Sequence, residues 1–234
     1  MGEILTKAEW KRRRKIKNLW LMVIVHLLGV FIVAFFLFIS VKLIQRKYNP
    51  IDQRVEEIME TLSDGIIIRQ HYLSPNEYSR PQTSLNKIKG VVVHYTANPG
   101  TSAVNNRNYF QSLAATKTTY ASSHYIIGLE GEIVQCIPLT EISYASNHRN
   151  QDTISIECCH PDETGKFNQE TYDSLVFLVA ALSYEFNLDE DDIIRHYDVT
   201  GKMCPLYFVE HEDEWLSFKK VVMDTLNEFK ARKD

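Results

Sequence analysis

Hydrophobic positions follow several different patterns along this chain, and each pattern predicts a different element. From Leu19 to Val41 they form one 23-residue run without a formal charge, LWLMVIVHLLGVFIVAFFLFISV. A helix of that length spans about 34 Å, enough to cross a hydrocarbon core of about 30 Å. Beyond it, Ile51, Val55, Ile58, Met59 and Leu62 recur at helical spacing and Asp64-Gly65 ends the pattern, which predicts one short amphipathic helix. The next segment, HYLSPNEYSRPQTSL, places Pro75 and Pro81 among Asn, Ser and Thr. It is expected to be extended and irregular, either wrapping a domain or spacing it from a membrane.

After Gly90 the pattern changes to short apolar runs. VVVHY is β-branched and suits a buried strand, and Asn98-Pro99-Gly100 breaks it. Ser102 can cap a helix reaching about Ala115. SHYIIGLEGEIVQCIP reads as two strands joined at Glu130-Gly131, and Thr153 to Cys159 as a further strand. Along that strand Ile154, Ile156 and Cys158 face one side, with Ser155, Glu157 and Cys159 on the other. Asn168 caps a long helix marked by Tyr172, Leu175, Val179, Leu182 and Phe186. Ile193 and Ile194 make a short last strand, and Trp215, Phe218, Val222, Leu226 and Phe229 form the core-facing stripe of a C-terminal helix. Strands interleaved with helices predict an α/β fold, a central mixed sheet flanked by helices. The expected organisation is a basic tail (1–18), a transmembrane helix (19–43), a stalk or linker (44–83) and one compact domain (84–234).

Composition narrows the class. At 234 residues, 44% hydrophobic, with four Cys and few Gly or Pro, the chain is not disordered, collagenous or a disulfide-dense mini-protein. With residues 19–41 set aside, the hydrophobic share is roughly 39%, ordinary for a domain that folds in water. The net charge of −4 hides an asymmetry: residues 1–18 carry seven basic and two acidic groups, which leaves −9 for the rest. KRRRK before the apolar run, against only Lys42, Arg46 and Lys47 after it, satisfies the positive-inside rule. The expected topology is a single-pass cell-membrane protein, its N-terminus cytoplasmic and its domain outside. A cleaved signal peptide would have a shorter apolar region and a small-x-small site. The basic block is read as a topology signal, so a lipid bilayer is an expected partner through residues 19–43 and nucleic acid is not. His26, mid-span, is assigned no function. An exported location permits disulfides, but Cys136, Cys158, Cys159 and Cys204 form no obvious framework, and a bridge from Cys136 to Cys158 or Cys159 stays open.

Three side chains of zinc-ligand type stand where strands end: His94 in VVVH, and His196 with Cys204 in RHYDVTGKMCP. A catalytic zinc needs three protein ligands and one open position. Eight residues separate His196 from Cys204, too far for one helical face, but Gly201 and Pro205 allow a loop to fold back. By themselves, a strand histidine is more often a satisfied core residue and a lone cysteine a small hydrophobe.

Four blocks taken together are more specific. VVVHYTANPG, SSHYIIGLEGEIVQCIP, DTISIECCHPDETGKFN and RHYDVTGKMCP, in order over roughly residues 70–220, resemble the type 2 N-acetylmuramoyl-L-alanine amidases, the superfamily of peptidoglycan-recognition proteins and phage amidases. The resemblance implies an α/β fold around a central sheet and hydrolysis of the amide between N-acetylmuramic acid and L-alanine in peptidoglycan. It implies one Zn²⁺ per chain, held by His94, His196 and Cys204. It makes Lys202 the cation for the oxyanion and Glu157 the acid/base residue, because one branch of the family carries a glutamate facing the metal there. Other branches carry a catalytic tyrosine just before the histidine of the SHY block; this chain has Ser123, which cannot act as a phenol, so Glu157 is the expected base. His124 is left as a residue supporting the metal site or the substrate. The polar loop Asn147-His148-Arg149-Asn150 is expected to line the cleft, with Asn147, His148 and Arg149 as substrate-binding residues, and Arg107 as a weaker one. Two rival functions share the scaffold: a non-catalytic muropeptide receptor, and another zinc amide hydrolase or peptidase.

Overall fold

The computed structural model describes residues 7–47, 50–63 and 65–233, with side chains described at Trp10 and over 15–38, 50–63 and 65–232. Residues 1–6 of the basic tail and Asp64 of the expected helix stop lie outside the described residues. The chain divides into two units, 1–49 and 50–234.

The first unit contains one helix, α1 (Lys7–Lys47). Between Lys15 and Phe38 it is long and apolar enough to cross a membrane, and its side chains there are exposed rather than packed into a core.

The second unit begins with α2 (Pro50–Leu62) and β1 (Ile68–Gln70), continues through β2 (Val91–Tyr95), α3 (Ala103–Thr116), β3 (Tyr125–Ile127) and β4 (Ile133–Gln135), and then a 3₁₀ turn (Asn147–Gln151). β5 (Ile154–Cys158), α4 (Gln169–Phe186), β6 (Ile193–Arg195), α5 (His196–Thr200), α6 (Leu206–Glu210) and α7 (Glu212–Lys233) complete it. The six strands form one mixed sheet in the order β1-β4-β3-β5-β2-β6. β3 and β4 make the expected antiparallel hairpin, whereas β2 pairs in parallel with both β5 and β6.

Period-two alternation assigns the two faces of the sheet. Val91, Val93, Ile154, Ile156, Cys158 and Ile193 point into the larger core, which α2, α4 and α7 cover. The α7 stripe of Trp215, Phe218, Val222, Leu226 and Phe229 is almost completely buried there. Each such side chain contributes about 1.5–3 kcal/mol. The other face packs its β3–β4 half against α3 through Ile126, Val134, Phe110 and Leu113. α3 and α4 start where Ser102 and Asn168 accept the Asn105 and Thr171 amides, and both stop at left-handed residues, Lys117 and Asn187.

Residues 50–83, expected to be a stalk, are part of the compact unit. The apolar stripe of α2 finds its cover on α4: Val55, Ile58 and Met59 are buried in the main core. The Asp52 carboxylate, 1% exposed, accepts the Leu139 amide at 2.9 Å and the Tyr72 hydroxyl at 2.7 Å. β1, which the periodicity did not predict, adds a parallel edge to β4. The proline-containing segment takes its wrapping alternative: the Arg107 guanidinium holds the His71 and Tyr72 carbonyls, and Arg80 makes a two-point ion pair with Glu141. The four cysteines are buried and unbonded, which closes the question of a Cys136 bridge for this structure.

Candidate active site

The chemistry-bearing residues gather at the carboxyl ends of β5, β2 and β6. From β2 the chain crosses to β3 and β4, comes back to β5 beside β2 and then crosses to β6 on the other side of β2, so the connections diverge beside β2, the expected place for a site in such a sheet. His94 is in register with Glu157 on β5, and Val93 with Arg195 on β6, so His196 follows one step later on the far side of His94. Both His94 and Glu157 lie on the face opposite the main core, in the half that α3 leaves open. This explains polar residues in otherwise apolar strands.

Cys204 arrives by a tight return. α5 ends at Gly201, whose φ of 77° is left-handed and accessible to glycine at no steric cost. Cys204 then donates its amide to the Lys202 carbonyl and accepts the Tyr197 amide. Arg195 clamps the base of this loop: its guanidinium reaches Asp198 at 2.9 Å, the Phe208 carbonyl at 2.9 Å and Glu212.

The ligand-type atoms of His94, His196 and Cys204 lie within 4.8 Å of one another, and all three residues are buried. His94 Nδ1 is 3.8 Å from Cys204 Sγ, and the two imidazole centroids are 4.8 Å apart. The outer ring nitrogens are held. His196 Nε2 is 3.0 Å from Asn147 Oδ1, a carbonyl-type acceptor, so Nε2 carries the proton. His196 Nδ1 is therefore an acceptor, and it is buried without a partner. His94 Nε2 bonds Ser146 Oγ at 3.1 Å. Asn150 Oδ1 accepts the Ala145 and Ser146 amides and fixes the turn that carries both supports.

The donor set fits a metal ion. Burial, the neighbouring His196 and Lys202 push the His94 imidazole well below its ordinary value, and burial with Lys202 takes His196 to about 4. Both rings are thus neutral at pH 7, as ligation requires. Burial and Glu157 push the Cys204 thiol up to about 12, against the Tyr95 amide and Lys202, so a cation must displace its proton. An orphaned buried imidazole nitrogen next to a buried thiol and a second imidazole is a costly arrangement without a central cation.

Glu157 lies in the same cleft. Burial raises its carboxyl to about 8, opposed by Lys202, and Oε2 has no hydrogen-bond partner. Lys202 is exposed at the cleft, and its charge acts on His94, His196, Glu157 and Cys204. The cleft has a volume of about 340 Å³, and Asn147, Asn150 and Tyr120 also line it.

The other expected site residues differ in where they lie. Asn147 reaches the cleft, but its amide oxygen is occupied by His196. His148 is exposed on the 3₁₀ turn and lies outside the cleft lining. Arg149 turns away and donates to Asp152 at 2.7 Å, so it too leaves the lining. Arg107 is 7% exposed and is consumed by carbonyls of the wrapping segment, where it serves packing.

His124, just before β3, is completely buried. Its Nδ1 accepts the Ser155 amide at 3.1 Å, so Nε2–H donates to the Glu141 carbonyl at 2.9 Å. Its partners lie within the fold, and it is outside the cleft lining. Burial lowers its pKa to about 4, whereas in the unfolded chain the ring titrates near its ordinary value of 6.5. The unfolded state therefore binds the extra proton first as pH falls. We expect the metal-free protein in detergent to lose about 3 kcal/mol from this group between pH 6.5 and 4, with no further loss from it below. Urea denaturation across that range checks this; a His124→Gln variant with the same pH slope as wild type would refute it.

Ser146, Arg195 and Tyr120 were not anticipated. Ser146 and Arg195 flank stronger motif residues, and no spacing rule separates them from ordinary loop and strand positions.

A family model described as N-acetylmuramoyl-L-alanine amidase matches residues 84–206, more than half of the chain. The chain belongs to this family. The matched segment runs from Ser84, before β2, to Leu206, the first residue of α6, and so contains all three ligand-type residues, Glu157 and Lys202. Among similar proteins, N-acetylmuramoyl-L-alanine amidase CwlL of Bacillus licheniformis is 34% identical over 166 residues, 65% of this chain and 46% of its own. N-acetylmuramoyl-L-alanine amidase BlyA of Bacillus subtilis (strain 168) is 32% identical over 177 residues, covering 67% and 47%. The chain thus spans about half the length of these relatives. A solved mutant endolysin from Bacillus subtilis superposes with a TM-score of 0.57 at 27% identity, over 68% of this chain and 99% of that one. This likeness bears out the expected mixed sheet flanked by helices.

Proposed function

We propose that this protein is a zinc-dependent N-acetylmuramoyl-L-alanine amidase that hydrolyses the amide between N-acetylmuramic acid and L-alanine in peptidoglycan. Family membership supports the substrate class. The observation that carries the reading is the convergence of His94, His196 and Cys204 beside Glu157, a carboxylate whose buried Oε2 has no hydrogen-bond partner, in a single cleft. Zinc held by those three residues would supply Lewis acidity toward the amide carbonyl and acidify water.

The remaining work falls to the chain itself. Asn147 and Ser146 fix the orientation of the two imidazoles by bonding their outer nitrogens, which keeps the inner lone pairs aimed at the ion. Glu157, whose carboxyl is raised into the neutral range, takes a proton from the attacking water and returns it to the leaving amine nitrogen of L-alanine. Lys202 places a positive charge where the carbonyl oxygen becomes an oxyanion. Ser123 takes no part: its hydroxyl donates within the sheet to backbone carbonyls.

We further propose that α1 is an uncleaved single-pass anchor, with residues 1–18 cytoplasmic and the compact unit outside the cytoplasmic membrane of a bacterium. Its spanning length between Lys15 and Phe38 and the basic block before it support this. Net negative charge after residue 18 gives little attraction to an anionic wall, so tethering supplies local concentration instead.

One experiment tests both. Purified full-length protein digesting peptidoglycan is expected to release stem peptides with a new L-alanine amino terminus and to leave glycan strands intact, read by mass spectrometry. A chain lacking residues 1–45 is expected to give the same products while moving from the membrane to the soluble fraction. Cleavage within the peptide or glycan would sink the activity, and a truncated chain that stays with membranes would sink the anchor.

A further inference from the structure

One buried cation touches the carriers of all three ligand-type residues. Arg195 is 5% exposed, and its backbone pairs on β6 with Val93, the residue before His94. His196 follows it directly as the first residue of α5. Asp198 fixes that start: its carboxylate accepts the Arg195 amide at 2.8 Å, Nε at 3.2 Å and Nη2 at 2.9 Å. Nη1 donates at 2.9 Å to the carbonyl of Phe208 on α6, the helix that follows Cys204 and Pro205. The same nitrogen reaches Glu212 at the start of α7. The guanidinium also lies over the rings of Tyr197 and Trp215, 5.4 and 5.3 Å from their centroids.

These partners use the whole fork. A guanidinium presents five N–H donors in one plane, and here they go to Asp198, Glu212 and the Phe208 carbonyl. Arg195 is also absent from the cleft lining, so its work is on the chain rather than on a ligand. His196 and Cys204 are joined by α5 and the left-handed Gly201, and the separation of imidazole and thiol depends on how α5 and α6 are held. Arg195 ties one to the other. Three of its contacts, Phe208, Glu212 and Trp215, lie beyond residue 206, where the family match ends. We propose that Arg195 is the positioning residue of the metal site, setting the spacing of His94, His196 and Cys204, and that it makes α7, a helix outside the matched segment, part of that site's support. This rests on the reading of those three residues as metal ligands. Lysine at 195 would keep the charge but carries its donors at one point, so it cannot hold two carboxylates and a carbonyl in one plane.

The test reads the metal rather than turnover. Full-length protein in detergent micelles is stripped of metal and titrated with cobalt(II), whose visible absorption reports ligand geometry, and with zinc in competition with a chelator. Arg80→Lys serves as the control, because it disrupts a comparable two-point ion pair, that with Glu141, outside the cleft lining. In Arg195→Lys zinc affinity is expected to fall about tenfold and the cobalt spectrum to change, the scale of a lost group that orients metal ligands. Arg80→Lys is expected to stay within about twofold of wild type with an unchanged spectrum. Glu212→Lys sets a like charge against Arg195 at a side chain 59% exposed, so the fold survives, and about fivefold weaker zinc binding is expected. That variant decides the matter if Arg195→Lys does not fold. Zinc binding within twofold of wild type in either the 195 or the 212 variant would overturn the positioning role, as would an Arg80→Lys protein weakened as much as Arg195→Lys. Wild type that takes up neither ion would sink the ligand set and this inference together, whereas wild-type binding that survives both variants sinks this inference alone.

Discussion

Cys204→Ser is expected to abolish metal retention and to reduce hydrolysis by about 10³-fold or more, the scale of a lost Lewis acid that supplies several kcal/mol. The reason is specific to the position. Cys204 is 2% exposed, and its sulfur is the only softly binding donor of the cluster. Displacing its proton needs the cation, since burial holds the thiol near 12. A serine hydroxyl is harder still to deprotonate and its oxygen reaches less far than sulfur. The substitution is nearly isosteric, and the loop is held by backbone bonds and by Arg195, so the circular dichroism spectrum should be unchanged. Metal analysis of the purified full chain is the check. A variant that keeps a full equivalent of zinc and wild-type turnover would show that the ion, if present, is held elsewhere.

Glu157→Gln separates proton transfer from metal binding. The variant is expected to retain its zinc and to lose 10²- to 10⁴-fold in kcat, roughly the contribution of a positioned general acid/base. It should also melt higher than wild type in the metal-free form. The wild-type carboxyl is raised to about 8 by burial, so between its ordinary value of 4.5 and 8 the folded state carries a desolvation cost that grows as pH rises. A neutral amide of the same shape escapes that cost. Retention of more than a tenth of the wild-type rate would mean that the base lies elsewhere in the cleft.

The two variants bear on residues that were readable in different ways. His94 and Glu157 could be placed on one sheet face by counting alternation, since their neighbours Val93, Ile156 and Cys158 had to be buried. That they stand side by side depends on the pairing of β2 with β5, a partnership across more than fifty residues that no local pattern encodes. His124 shows the converse. As a histidine in a family block it was expected near the metal or substrate, yet its position just before β3 and its burial give it Ser155 and Glu141 as partners. Arg107 and Arg149 are likewise placed outside the cleft lining. An arginine on a helix or polar loop carries no signal of whether its guanidinium meets a ligand or a carbonyl of its own chain. The α2 stripe was recognised as amphipathic, but what covers it is a property of α4, distant in sequence.

By itself, then, the order of residues determined the apolar helix of spanning length, the alternation that divides each strand between a dry and a wet face, and the donor types available for a metal. These are short-range properties, set by side-chain chemistry and backbone period. The tertiary structure alone decided that β5, β2 and β6 lie adjacent, that α3 covers only half of one face, and that residues 50–83 pack on the domain. Those outcomes depend on which distant surfaces exclude water from each other, and only the folded chain brings those surfaces together.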